Sequence, residues 1–191
     1  LCLKQMLVAM TAAAEENWSM AVEALDEALR IGEDVDDRDV LWNLGNAALQ
    51  LGDDDAQQRF YSFALSRARE AGAVTAVIYC LQRLCFGHFL AGDHVAVRSS
   101  ADEAIALGLS IGQPAMTALP VARLTLLAAL QDRQDYDGLL HRLDELVTAH
   151  PLGIVTDPVH DLTRWAKGAH AAGAGDTFGA LHQLSRLRLP V

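Results

Sequence analysis

Lysine is almost missing from this chain. Lys4 and Lys167 are the only two among 191 residues, and acids outnumber Lys and Arg by 25 to 15, for a formal net charge of −10. The acids gather at Glu33 to Asp39 and at Asp53, Asp54 and Asp55. Such a surface repels a phosphate backbone and has little with which to release its counterions, so no direct nucleic-acid binding is expected of this segment. The glycine-rich stretch Ala172 to Gly175 has no Lys-Ser or Lys-Thr after it, so it cannot cradle phosphates as a P-loop does. Cysteine is scarce and odd in number. Cys80 and Cys85 lie five apart on one expected helix, pointing in different directions, and Cys2 is the only other. That excludes a disulfide framework and implies a reducing, cytoplasmic setting. No apolar run reaches the roughly 18 to 20 residues that a spanning helix needs, and the N-terminus lacks a signal peptide's basic, apolar and small-residue order. No membrane partner is expected. Aromatics are 6% of the chain, and alanine leads an apolar fraction of 51%. Small side chains suit close helix packing better than strands, and no strand is read.

What the chain does contain is a recurring phrase. Glu16-Asn17-Trp18, Gly52-Asp53, Gly92-Asp93, Gln134-Asp135-Tyr136 and Gly175-Asp176 each separate two stretches of helical pattern, at steps of 36, 40, 42 and 41 residues. Periods of this size mark stacked helical hairpins. The second unit is the clearest, with Leu41, Leu44, Gly45, Ala48, Gly52, Tyr61, Ala64 and Leu65 in a tetratricopeptide-like pattern. Gly ends the first helix in a left-handed conformation and Asp caps the second. Gly45 and Ala64 stand where the two helices of one pair come closest. In the fourth unit Gln134 replaces the turn glycine, and in the fifth Leu162, Trp165, Ala169 and Ala172 compete with the register set by Gly168, Ala171, Gly175, Ala180 and Leu181.

The expected fold is all-α: a right-handed superhelix of about five stacked hairpins, a tetratricopeptide-like solenoid of about ten helices. The helices fall at 3–14, 18–32, 37–51, 54–71, 74–90, 94–110, 114–131, 136–149, 158–172 and 176–187. They form one domain over 1–191, with repeats near 1–35, 36–73, 74–112, 113–150 and 151–191. The chain is expected to be a piece of a longer polypeptide. Pro114 and Pro158 suit first-turn positions, while Pro120 falls inside an expected helix and implies a kink or a late start. The apolar N-terminal face of Leu1, Leu3, Met6 and Leu7 is expected to meet a neighbouring domain or a second copy of the chain.

Motifs that imitate catalytic sites fail on context. Gly108-Leu109-Ser110-Ile111-Gly112 matches a nucleophile elbow, which needs a preceding strand where a helix is expected. Asp135, Asp137 and Gly138 imitate part of a calcium loop, but Arg133 occupies the first ligand place and Asp144 the twelfth. No histidine pair has metal-ligand spacing. Asn17-Trp18-Ser19 forms a glycosylation triplet without meaning for a cytoplasmic protein. No catalytic residue, metal ligand or cofactor of this segment is assigned. The remaining constellation is Trp42, Asn46, Tyr79, Gln82, Phe86 and Phe89, with Trp165 in the fifth unit. These first-helix positions face the inside of the superhelix, and aromatic platforms with amides suit a peptide, a sugar or another small ligand. The same side chains could instead pack against neighbouring repeats.

Ala101 to Gly108, Gly112 to Met116 with Leu126 to Leu130, and Arg164 to Gly168 followed by Gly175 to Leu181 resemble the helical-repeat region of large ATP-binding LuxR-type transcriptional regulators, relatives of the maltose-regulon activator. The resemblance covers most of the chain, through packing positions that other helical-repeat regulators share. It implies a sensor arm between a nucleotide-binding switch and a helix-turn-helix, neither of them in this segment, with ATP bound only by the absent neighbour. The arm would receive an inducer or partner protein and bias the switch between monomer and oligomer. It transfers no ligand residues. A plain scaffold that holds a partner peptide is the alternative, and an unrecognised enzyme is a third, disfavoured because Asp39, Arg83, Arg123 and Asp132 are scattered.

Overall fold

Ten α-helices, two 3-10 turns and no strand are found among the described residues. The computed structural model describes residues 1–32 and 34–187; Glu33 of the acidic run and residues 188–191 of the fifth repeat lie outside them. The helices are α1 Cys2–Ala14, α2 Trp18–Gly32, α3 Arg38–Gln50, α4 Asp54–Glu70, α5 Val74–Leu90, α6 His94–Ser110, α7 Ala118–Leu130, α8 Tyr136–Ala149, α9 Thr156–Gly173 and α10 Thr177–Leu184. Their order and bounds follow the expected pattern within a few residues. The chain is all-α.

The recurring phrase does what its chemistry requires. Gly52, Gly92 and Gly175 adopt φ of +77°, +73° and +78°, where a side chain would be strained. The aspartate that follows each one accepts from the backbone N–H three residues on: Ala56 at 2.9 Å, Ala96 at 3.0 Å and Gly179 at 2.9 Å. In the first hairpin Glu16 takes the left-handed conformation at φ +59°. The fourth turn is built differently from expectation. Its left-handed residue is Asp132, at φ +50°, and not Gln134. The N–H of Arg133 closes the turn onto Ala128 O at 3.0 Å, as Asp53 does onto Ala48 at 2.9 Å. Arginine therefore stands where other hairpins place their capping aspartate. Asp135, two residues later, makes no side-chain cap bond and is held by Arg133 instead.

The chain divides into two units, Leu1–Ala91 and Gly92–Val191, with the boundary between α5 and α6. In the first, α1 packs on α2, α3 on α4 and α4 on α5, and α1 and α2 both touch α3. Phe60 and Tyr61 of α4 are wholly buried with Leu41, Leu44 and Ile78, each such side chain contributing about 1.5 to 3 kcal/mol of burial. Gly45 is required here, because a Cβ on it would lie 2.7 Å from the Tyr61 ring.

In the second unit α7 packs against α6, α8 and α9, and α9 against α10. Ile105, Ala118, Leu119, Val121, Ala122, Leu143 and Val159 form the core, with Leu146 and Leu162 against it. Because α7 has neighbours on several sides, it is buried nearly all round. Of the two outcomes expected at Pro120, the late start is found. A 3-10 turn over Pro114–Thr117 absorbs the start, α7 begins at Ala118, and Pro120 falls in the first turn, where its missing N–H has no helical partner to lose. In α9 the buried positions are Val159, Thr163, Ala166 and Gly168, so the competing stripe through Trp165 and Ala172 lies on the more open flank. Trp18, Leu130 and Leu181 are largely open, at 59%, 51% and 64% exposure.

Among the described residues no helix is long and apolar enough to cross a membrane. Cys2, Cys80 and Cys85 are buried and form no disulfide among the described residues.

Candidate functional site

Three of the expected residues meet at one point of the first unit. Trp42 and Asn46 lie one turn apart on α3, and Tyr79, Gln82, Phe86 and Phe89 lie at spacings of 3, 4 and 3 on one face of α5. The Trp42 and Tyr79 rings meet edge to face, centroids 5.3 Å apart and planes at 67°. Asn46 Nδ2 donates to the Tyr79 hydroxyl at 2.9 Å, and the Tyr61 hydroxyl donates to Asn46 Oδ1 at 2.5 Å. Trp42, Asn46, Tyr79, Phe86 and Phe89 are half-buried, so the aromatic face is neither sealed inside the unit nor fully exposed. Gln82 is buried. Trp165, 37% exposed, belongs to the second unit.

Tyr61, read from the sequence only as a packing residue, is the buried end of this network. Burial, and then the neighbouring Tyr79, push its hydroxyl well above the ordinary tyrosine range, so it remains a neutral donor. Sequence reading left Arg38 unnamed and set Arg83 aside among scattered groups, and both belong to this face. The Arg38 guanidinium lies 5.3 Å from the centre of the Trp42 ring and the Arg83 guanidinium 5.2 Å from that of Tyr79. Each is four residues from its ring along the helix, a spacing that places cation and aromatic face together. That spacing was visible in the sequence. Behind them Gln57 of α4, fully buried, donates to the carbonyl of Arg83 at 3.1 Å and ties α4 to the turn that carries it.

Other features of the first unit hold no comparable set. A cavity of about 170 Å³ is lined by Met10, Ala13, Trp18, Ala47, Gln50 and Leu51, among others. One of about 560 Å³ runs beside Asp26, Asp53, Asp54 and Asp55. Among the described residues no group of three His, Cys, Asp or Glu side chains could hold a metal.

In the second unit Gln131 bridges two side chains. Arg98 donates to its Oε1 at 2.6 Å, and its Nε2 lies 2.8 Å from His94 Nδ1. Since arginine only donates, the amide nitrogen faces the imidazole and Nδ1 accepts. Arg98 also lines a cavity of about 150 Å³ with Asp102, Arg133 and Asp135, and Arg133 holds the Asp135 carboxyl below its ordinary range. The catalytic look-alikes dissolve. Ser110 ends α6 and donates to Leu107 O at 2.8 Å, with no strand before it. Asp137 and Gly138 lie in the first turn of α8.

No protein family matches the chain, and no curated protein does. Among solved structures it is similar to the crystal structure of BtubC (BKLC) from P. vanneervenii, with a TM-score of 0.67 and 19% sequence identity, over 93% of this chain and 74% of that one. The likeness is one of fold. At this identity it supports an all-α helical architecture and says nothing of ligand or partner.

Proposed function

We propose that this chain is a non-catalytic sensing and protein-interaction segment of a cytoplasmic transcriptional regulator. It receives an inducer or partner protein and passes that event to neighbouring nucleotide-binding and DNA-binding domains. The observation that carries the reading is the half-open Trp42, Asn46 and Tyr79 face. It combines aromatic surface and hydrogen-bonding groups held by packing, without the convergent acids and bases of a catalytic centre. The LuxR-type resemblance of the packing motifs supplies the wider setting.

A ligand on this face acts only through its preference for one state of the parent protein over another. Shifting such an equilibrium strongly takes a difference of about 5 kcal/mol, within reach of one aromatic and one charged contact combined with a change in domain docking. The coding sequence to either side should then hold a P-loop upstream and a helix-turn-helix downstream. Light scattering on the intact regulator should show its oligomeric state changing with the compound or protein that activates it. A coding sequence without those modules would favour a scaffold that holds a partner peptide. An oligomeric state indifferent to every activator would end the sensor reading.

A further inference from the structure

The hydrogen-bonding inventory of the face formed by α3 and α5 is one-sided. Asn46 Oδ1 is engaged by Tyr61 at 2.5 Å, and Asn46 Nδ2 donates to the Tyr79 oxygen at 2.9 Å. The Tyr79 proton is left with a 3.4 Å approach to that same engaged Oδ1, too long for a good hydroxyl bond. The charged groups at the two rings are the guanidiniums of Arg38 and Arg83, which can only donate. Arg38 is shared with Asp39 Oδ1, at 3.2 and 3.1 Å. Arg83 has no carboxylate partner among the described residues, although the chain carries a net charge of −10.

What this face still has to offer is therefore donors, one unmatched positive charge and aromatic surface. A ligand that satisfies it brings an anionic acceptor and an apolar body. The face is half-open, and three cavities of the unit are lined by other residues, which suits an extended chain laid across two helices better than an enclosed small molecule. We propose that the Trp42 and Tyr79 face binds an acidic peptide segment of a partner. A carboxylate sits between the Arg83 guanidinium and the Tyr79 hydroxyl, and a neighbouring apolar side chain lies on Trp42. Arginine and a carboxylate pair through two parallel bonds, and removal from bulk water strengthens them. Gln57, bonded to the Arg83 carbonyl, fixes the helical turn from which the guanidinium extends.

This rests on reading the face as a binding surface, and its test is separate from that of the regulator assignment. The probes are a blocked hexapeptide alternating leucine with glutamate, the same peptide with glutamine, and propionate. The readout is the arginine Nε signal in nitrogen–proton NMR of the whole chain, assigned with R83Q and R38Q. The glutamate peptide should shift the Arg83 signal and the glutamine peptide should not. R83Q should weaken binding by about tenfold or more. Tyr79→Phe, which keeps the ring and loses the donor, should weaken it by a smaller factor, and circular dichroism should show both variants folded. Equal binding of the glutamine peptide, an unchanged affinity in R83Q, or no shift from any probe at about 10 mM would overturn the proposal. Propionate matching the peptide at equal concentration would overturn the peptide assignment in favour of a free organic acid. A peptide-binding chain whose parent lacks a P-loop and a helix-turn-helix would sink the regulator reading and leave this one standing.

Discussion

Tyr61 and Asn46 join α4 to α3 through a 2.5 Å bond from the phenol to the amide oxygen, and the same amide reaches on to Tyr79 of α5. One side chain thus holds three helices in register. The phenol is wholly buried, so loss of this bond costs more than loss of a surface bond.

The first prediction concerns that bond. Asn46→Ala leaves the Tyr61 hydroxyl buried and unsatisfied, and should destabilise the chain by about 1 to 3 kcal/mol. Tyr61→Phe removes donor and demand together at nearly constant shape, and should cost less, about 1 kcal/mol. Urea denaturation of the two variants measures both. Equal losses would mean that the amide is not committed to the phenol.

The second concerns Gly45. A Cβ there would stand 2.7 Å from the Tyr61 ring, inside van der Waals contact. Gly45→Ala would gain helix propensity on an isolated helix, yet here it should destabilise by about 1 to 3 kcal/mol as α3 and α4 separate. It should also shift the NMR signals of Asn46 and Tyr79. A stabilised Gly45→Ala variant would show that α3 and α4 do not approach so closely in solution.

The third concerns pH. Burial pushes the Cys80 thiol up to about 11, from an ordinary value of 9.0. The folded chain therefore holds this proton more tightly than the unfolded chain. The associated stability is complete below about pH 9 and is lost as pH rises toward 11. Denaturation midpoints should fall across that window more steeply in the parent than in Cys80→Ala, and the folded thiol should resist iodoacetamide at pH 8. Identical slopes, or rapid alkylation without unfolding, would contradict the buried placement.

Most of the helical framework could be read from residue order, because its causes are local. A left-handed glycine and a capping aspartate act within one turn, so Gly52-Asp53, Gly92-Asp93 and Gly175-Asp176 announced their hairpins. Where the reading failed, the cause was a competing local solution. Asp132 could take the left-handed place, which let Arg133 stand at the cap position and Gln134 fall beyond the turn. At α7 the late start that Pro120 implied is what is found, with a 3-10 turn over Pro114–Thr117 before it. Exposure at Trp18, Leu130 and Leu181 could not be read, since periodicity assigns a face without saying whether a neighbour covers it.

By itself the sequence determined the helices, the Gly-Asp caps of three hairpins, the absence of strands among the described residues and the pairing of aromatic positions with amides on α3 and α5, all consequences of spacing along the chain. Only the tertiary structure decided that Asn46 spends its oxygen on Tyr61, that Trp42 and Tyr79 touch, and that Arg83 is left without a carboxylate among the described residues. Those outcomes depend on which side chains from separate helices arrive within about 3 to 5 Å of one another, and hydrogen-bond satisfaction is settled only at that range.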